Sequence, residues 1–101
     1  MASNTLVTIT YSVADAKRRE LETMLPALVE RINGEQQAVR CSVYQDEDEP
    51  STFVEVYECE TSDDFENLED ILSEETSQQI RRIATDFAQA RQAVMTLRKM
   101  V

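Results

Sequence analysis

The residues best suited to chemistry are three tyrosines, two arginines and one glutamate, most of them on segments that alternate like strands. In a pocket with apolar walls, a tyrosine could orient an aromatic ring and a glutamate could accept its proton. An arginine could then stabilise the resulting oxyanion. We predict that Glu55 and Arg40 are catalytic and that a substrate is bound by Tyr11, Tyr44, Tyr57 and Arg98.

A second interpretation of these side chains needs no chemistry. The tyrosines could pack with their hydroxyls reaching solvent or a backbone carbonyl, while Arg40 and Arg98 pair with glutamates of a second copy across a dimer. An enclosed cavity of at least roughly 300 Å³ would favour the binding-site interpretation, because small-molecule pockets start at about that size.

Other classes of site lack their residues in this sequence. The chain has no His, no Trp and a single Gly, which excludes a Ser–His or Cys–His pair and a Gly-rich phosphate loop. Cys41 and Cys59 form no CxxC motif, so we expect them to be small buried hydrophobic residues rather than zinc ligands or a disulfide. We therefore predict no metal and no cofactor.

Length and composition predict one folded domain over residues 1–101. The chain has 101 residues, of which 42% are hydrophobic and 30% charged, as in ordinary globular domains. No apolar run approaches the roughly 20 residues of a membrane span, and the first residues lack the pattern of a signal peptide. The expected location is the cytoplasm.

Charge is distributed unevenly along the chain. The net charge is −10, and residues 41–80 hold fourteen acidic residues and no Lys or Arg. Nucleic acids and anionic membranes are therefore poor partners. An acidic face over residues 46–75 could instead dock a basic partner, which would make this a non-catalytic interaction or regulatory protein. Alternatively, the acidic segment is a solubilising surface complemented by the basic C-terminal segment.

Alternation with a period of two predicts four strands, at Thr5–Val13, Ala38–Gln45, Thr52–Glu60 and Val94–Val101. A helical period over Asp15–Asn33 predicts the longest helix. We expect Ser12 or Asp15 as its N-cap and Gly34 as a left-handed C-cap. Pro26 removes one backbone hydrogen bond inside this helix and predicts a bend near Met24.

A second helical region follows the third strand. Thr61 or Ser62 is expected to cap its start, and Ser73 to cap a further stretch. The pattern leaves open whether the region is one broken helix or two. Eight apolar residues on the helices are expected to cover one sheet face: Leu21, Leu25, Leu28, Ile32, Leu68, Ile80, Ile83 and Phe87.

The element order is β-α-β-β-α-β, which predicts a ferredoxin-like α+β fold with a four-stranded antiparallel sheet in the order 4-1-3-2. Both helical regions then lie on one face of the sheet. The other face stays uncovered, so we expect a homodimer joined through its sheet faces. The pattern does not decide which face carries Glu55 and Tyr57.

The run from Cys41 to Phe65 resembles the strand, acidic proline turn, strand and capped helix of the antibiotic-biosynthesis-monooxygenase-like domains. The opening strand Thr5–Val13 and the segments Lys17–Glu20 and Leu25–Leu28 are also similar to that family's first strand and helix. The resemblance implies a dimeric α+β barrel of the ferredoxin-like class. It also implies binding or oxidation of a small aromatic or quinone-like molecule without a metal or haem.

The sequence departs from that family at three positions. A Trp often stands where this chain has Cys59, a Glu where it has Tyr57, and a His near Leu68. The relatives that degrade haem use an Asn, His and Trp set, which a chain without His or Trp does not reproduce.

Overall fold

The computed structural model describes residues 4–97 as one antiparallel sheet with a helical layer on one of its faces. The sheet contains β1 (Thr5–Ser12), β2 (Val39–Gln45), β3 (Thr52–Cys59) and β4 (Gln89–Leu97). The helices are α1 (Asp15–Glu35), α2 (Ser62–Glu66), α3 (Leu68–Ile71) and α4 (Glu74–Arg82), and a π-helical turn at Ile83–Phe87 extends α4.

The strand order is β2-β3-β1-β4 with antiparallel pairing throughout. This is the predicted order read from the other edge, so the ferredoxin-like prediction is confirmed. In the part of the chain that the structure describes, no helix is long and apolar enough to cross a membrane.

Side chains along β1 and β3 point alternately to the two faces of the sheet, and this alternation decides which of them contact the helices. Tyr11 pairs with Phe53, and Val7 with Tyr57, on the helix-covered face; all four are buried. The opposite face carries residues such as Thr8 and its partner Val56, which are only half-buried. The face of β3 that carries the aromatic residues thus packs into the core, because large rings gain most from burial.

The core lies between α1, α3, the π-helical turn and the inner face of β1, β2 and β3. Seven of the eight predicted helix residues are buried there, and Ile80 is half-buried. Every residue of β4 is exposed, so this edge strand contributes no buried residue to the core.

The ends of α1 differ from the prediction. Ala14 is the N-cap residue and makes no side-chain capping bond, so neither Ser12 nor Asp15 caps the helix; Ser12 lies in β1 instead. Gly34 is inside the last turn and its φ is not positive.

The reason is Gln36, whose amide closes the C-terminal end of α1. It donates to the Ile32 carbonyl at 3.0 Å and to the Val39 carbonyl at 2.7 Å. It also accepts from the Val39 N–H at 2.8 Å. One carbonyl of the last turn, that of Ile32, is therefore satisfied without a left-handed glycine.

The second helical region is more broken than predicted. Thr61 caps α2 in a capping box with Asp64, and Ser73 caps α4 by accepting from the Thr76 N–H at 3.2 Å. Both caps confirm the sequence-based expectation. The last strand begins at Gln89 rather than Val94, and its predicted end at residues 98–101 lies outside the described residues.

Candidate functional site

The centre of the candidate site is the carboxylate of Glu55, which lies on the inner face of β3 and is only 7% exposed. The Tyr11 hydroxyl donates to its Oε2 at 2.8 Å, and the Tyr57 hydroxyl donates to its Oε1 at 2.7 Å. β1 and β3 bring the three side chains together because all of them point to the helix-covered face. We call these three residues the Tyr–Glu–Tyr centre.

The two hydroxyls compensate the cost of burying a carboxylate. An ionised carboxylate without partners is very unfavourable inside a protein, and short hydrogen bonds to a charged acceptor are about twice as strong as neutral ones. Among the described residues, no Lys or Arg lies within ion-pair distance of Glu55. The Tyr–Glu–Tyr centre therefore depends on neutral tyrosines as donors.

Burial and the nearby Glu55 carboxylate keep these tyrosines protonated. Burial raises the pKa of Tyr57 well above its usual value, and the negative charge of Glu55 raises it further. The same two causes, in the same order, raise the pKa of Tyr11. Both hydroxyls consequently remain hydrogen-bond donors at neutral and moderately alkaline pH.

Cys41 lies beside the Tyr–Glu–Tyr centre and is buried. Burial, followed by the charge of Glu55, raises the pKa of its thiol to about 12. Burial, followed by Asp64, also raises the pKa of Cys59. Both cysteines are free and buried, which confirms that they act as small hydrophobic residues, and neither is a thiolate nucleophile at neutral pH.

A cavity of about 160 Å³ adjoins the Tyr–Glu–Tyr centre and shares Tyr57 with it. The Tyr57 and Phe65 rings are 5.1 Å apart at a tilt of 59°. The other lining residues are Ile9, Glu66, Leu68, Glu69, Ile80 and Arg91. We call this space the Tyr57 cavity; a cavity of about 150 Å³ is enough to hold one benzene ring.

A smaller void of about 10 Å³ lies next to Glu55 itself, which is room for about one water molecule. Neither space reaches the roughly 300 Å³ expected of an enclosed substrate pocket. The size limits any ligand beside Tyr57 to a small single ring, or to part of a larger molecule that extends into solvent.

The structure separates the six predicted site residues. Tyr11, Glu55 and Tyr57 meet in the Tyr–Glu–Tyr centre. Arg40 and Tyr44 lie on the opposite face of the sheet, paired with Glu58 and Val54. The expectation that Arg40 acts beside Glu55 therefore fails within one chain, because alternate residues of a strand point to opposite faces. Arg98 lies outside the described residues.

Arg91 is a site residue that the sequence pattern did not indicate. It lines the Tyr57 cavity, and its positive charge acts on Tyr11. Its position depends on an irregularity in the β1–β4 register between Thr10 and Ser12, where Ala90 has a positive φ of 51°. Such bulges redirect side chains at the edges of sheets; the predicted strand start at Val94 left Arg91 outside any element.

Fold and site together define a ferredoxin-like α+β domain with a buried acidic centre beside a small aromatic cavity. Solved structures share this fold over nearly the whole chain. A structure from Pseudomonas aeruginosa has a TM-score of 0.77 at 18% identity, covering 99% of this chain and 98% of that one. No family model and no curated protein sequence matches this chain.

Two further similar structures carry a functional name. A proposed antibiotic biosynthesis monooxygenase from Nitrosomonas europaea has a TM-score of 0.74 at 20% identity, covering 96% of this chain and 92% of that one. A structure named antibiotic biosynthesis monooxygenase has a TM-score of 0.76 at 15% identity, covering 96% and 98%. The predicted resemblance is thereby confirmed at the level of the fold.

Proposed function

We propose that this chain binds a small phenolic or quinone-like ring in the Tyr57 cavity and that molecular oxygen oxidises a phenolic ring there without a metal or haem. With hydroquinone, two electrons and two protons pass to oxygen, which gives quinone and hydrogen peroxide. The observation that carries the proposal is that Tyr57 contacts both the cavity and Glu55. Its side chain lines the cavity with Phe65, while its hydroxyl donates to the buried Glu55 carboxylate. The names of the similar structures agree with such an activity.

Tyr57 and Glu55 can accept a proton from a bound phenol as a relay. The phenol donates to the Tyr57 oxygen while the Tyr57 proton moves to Glu55, so no free tyrosinate forms. A positioned base of this kind contributes roughly 10²–10⁴-fold to a rate. Arg91 would stabilise the phenolate, the role predicted from the sequence for Arg40.

The acidic segment favours this function over docking to a basic partner. Arg81 pairs with Glu69 and Glu74, each at 3.0 Å, and Arg31 pairs with Glu75 at 3.0 Å. Three of the fourteen acidic side chains of the 46–75 segment are thus already complemented by arginines of the same chain. We do not propose the docking function.

The test uses hydroquinone as the probe, with binding followed by NMR and turnover by oxygen consumption. Tyr57→Phe keeps the ring but breaks the relay, so we expect similar binding and a loss of turnover of about 10²-fold. Arg91→Met should weaken binding about tenfold, because it removes a charge-assisted hydrogen bond.

Arg19→Met is the matched control, because Arg19 is exposed on α1 and does not line the Tyr57 cavity. It should leave binding and turnover as in the parent. The proposal is wrong if hydroquinone binds and turns over equally in all three variants. If the parent binds hydroquinone without consuming oxygen, the proposed oxidation is wrong and only the binding function remains.

A further inference from the structure

Two side-chain amides from the end of α1 close the first half of the β2 edge. β2 is an edge strand with β3 on one side only. Asn33 Nδ2 donates to the Cys41 carbonyl at 2.9 Å, and Asn33 Oδ1 accepts from the Cys41 N–H at 2.8 Å. Gln36 holds both backbone groups of Val39 in the same way. The two amides thus occupy the place of a neighbouring strand, which protects this edge from pairing with another chain.

The contact between Asn33 and Cys41 needs both ends of an amide. An amide has a donor and an acceptor, whereas an ionised carboxylate only accepts. An aspartate at position 33 would keep the bond from the Cys41 N–H but would place a negative oxygen against the Cys41 carbonyl. Cys41 pairs with Tyr57 across the sheet, so this part of the edge adjoins the Tyr–Glu–Tyr centre.

Asn33 is followed by Gly34, the single glycine of the chain. Its φ is not positive, and in the described part of the chain a Cβ added to it would meet no atom within 4 Å. Neither a left-handed turn nor a close contact among the described residues therefore requires a glycine there. Because a glycine has no Cβ, its backbone nitrogen is the least shielded of any residue.

We propose that Asn33 is a site of spontaneous deamidation, and that the modification opens the β2 edge. The Gly34 nitrogen attacks Asn33 Cγ, a C–N bond forms, and the side-chain nitrogen leaves as ammonia with the Gly34 proton. Water then opens the cyclic imide to aspartate or isoaspartate, with no oxidant or reductant. In α1 the backbone N–H groups are held in helical hydrogen bonds. The reaction therefore needs the last turn to unwind first, which helix ends do readily.

Mass spectrometry of peptides after incubation at pH 8 and 37 °C measures the reaction, with Asn67, which precedes Leu68, as the internal reference. We expect Asn33 to be converted to an acid before Asn67. Gln36→Ala should convert about tenfold faster, because it loses hydrogen bonds that hold the helix end. Gly34→Ala keeps both contacts of Asn33 and should stay unmodified over the same period.

Three results would overturn the deamidation site: conversion at Asn33 no faster than at Asn67, equal rates in the parent and Gly34→Ala, or equal rates in the parent and Gln36→Ala. Each rate is measured on chains whose helix content matches the parent.

The opening of the edge is tested with Asn33→Asp. It should speed amide hydrogen exchange along β2 about tenfold, because the Cys41 carbonyl loses its donor and faces a charge. Asn67→Asp is the matched control, since Asn67 is exposed, and it should exchange along β2 as the parent does. Parental exchange along β2 in Asn33→Asp would show that the modification does not open the edge.

Discussion

Glu55 shows how a charged residue can be kept inside a small core. Strand alternation places it between Phe53 and Tyr57 on the covered face of β3, so burying the two rings also buries the carboxylate. Tyr11 and Tyr57 then satisfy one carboxylate oxygen each. Because the donors are neutral, this arrangement depends on both tyrosines holding their protons.

Stability should therefore fall in alkali. The pKa values of Tyr11 and Tyr57 are raised in the folded chain, so the unfolded chain releases these protons first, from about pH 10. Above that pH each tyrosine should lower the free energy of unfolding by about 1.4 kcal/mol per pH unit. The loss continues until the pH reaches the folded-state pKa.

Urea unfolding between pH 9 and 11.5 checks this prediction. Tyr57→Phe should lose part of the alkaline slope relative to the parent, besides a general destabilisation of about 1–3 kcal/mol from the lost donor to Glu55. Tyr44→Phe is the matched control, because its ring is 61% exposed. An unchanged slope in Tyr57→Phe would contradict the prediction.

At the scale of elements, one carboxylate joins the end of α1 to the start of α4. Glu35 Oε1 accepts from the Ser73 N–H at 2.7 Å, and its Oε2 accepts from the Thr76 hydroxyl at 2.6 Å. These hydrogen bonds, led by the one from Thr76, lower the pKa of Glu35. The junction thus reinforces the cap at Ser73.

Acid should loosen this junction. A lowered pKa means that Glu35 contributes stability above the ordinary glutamate value of about 4.3, and that this contribution is lost as the pH falls through the folded-state pKa. Glu35→Gln should therefore be less stable than the parent at pH 7 and converge with it in acid. Thermal unfolding from pH 7 to pH 3 measures this. As the control, Glu30→Gln should differ in stability from the parent by the same amount at every pH.

The sequence pattern predicted element types well and some of their ends poorly. The helical stripe of α1 and the alternation of β1 depend on local spacing, which is visible in the sequence. The start of β4 at Gln89 depends on pairing with β1 across the sheet, which local propensity does not report. Gln36 replaced the expected Gly34 cap for a different reason: its side chain bonds to Ile32 and Val39, which are close in sequence, but a search for a left-handed glycine does not detect such a cap.

The types of the site residues could be predicted from the sequence, but their convergence could not, because it depends on contacts across the sheet. Tyr11, Glu55 and Tyr57 were identified by type, and their convergence required knowing which face of β3 is covered. Phe53 and Val54 are both apolar, so the pattern alone left that choice open. Arg91 required the irregular register at Ala90, which no local signal indicates.

At the scale of the whole molecule, the main open question is what covers the sheet face opposite the helices. Among the described residues no element of this chain packs over Thr8, Val54, Val56 or Val94, which range from half-buried to exposed. A second copy with the same face would bury them by two-fold symmetry. The homodimer predicted from the sequence remains our proposal.

Sedimentation at 5–50 μM checks this proposal, and the parent should sediment with twice the mass of one chain. Val56→Glu places a charge at the middle of the face and should yield monomers, since an unpaired charge is costly in an interface. Gln78→Glu adds the same charge on exposed α4 and should leave the dimer intact. A parent that stays monomeric over this range would rule out the homodimer.

The two buried thiols give the chain an internal reporter of its own motions. Because Cys41 and Cys59 are buried and hold their protons, a thiol reagent reaches each of them readily only after the fold opens locally around it. The labelling rate of each cysteine would thus measure how often the sheet opens locally around it.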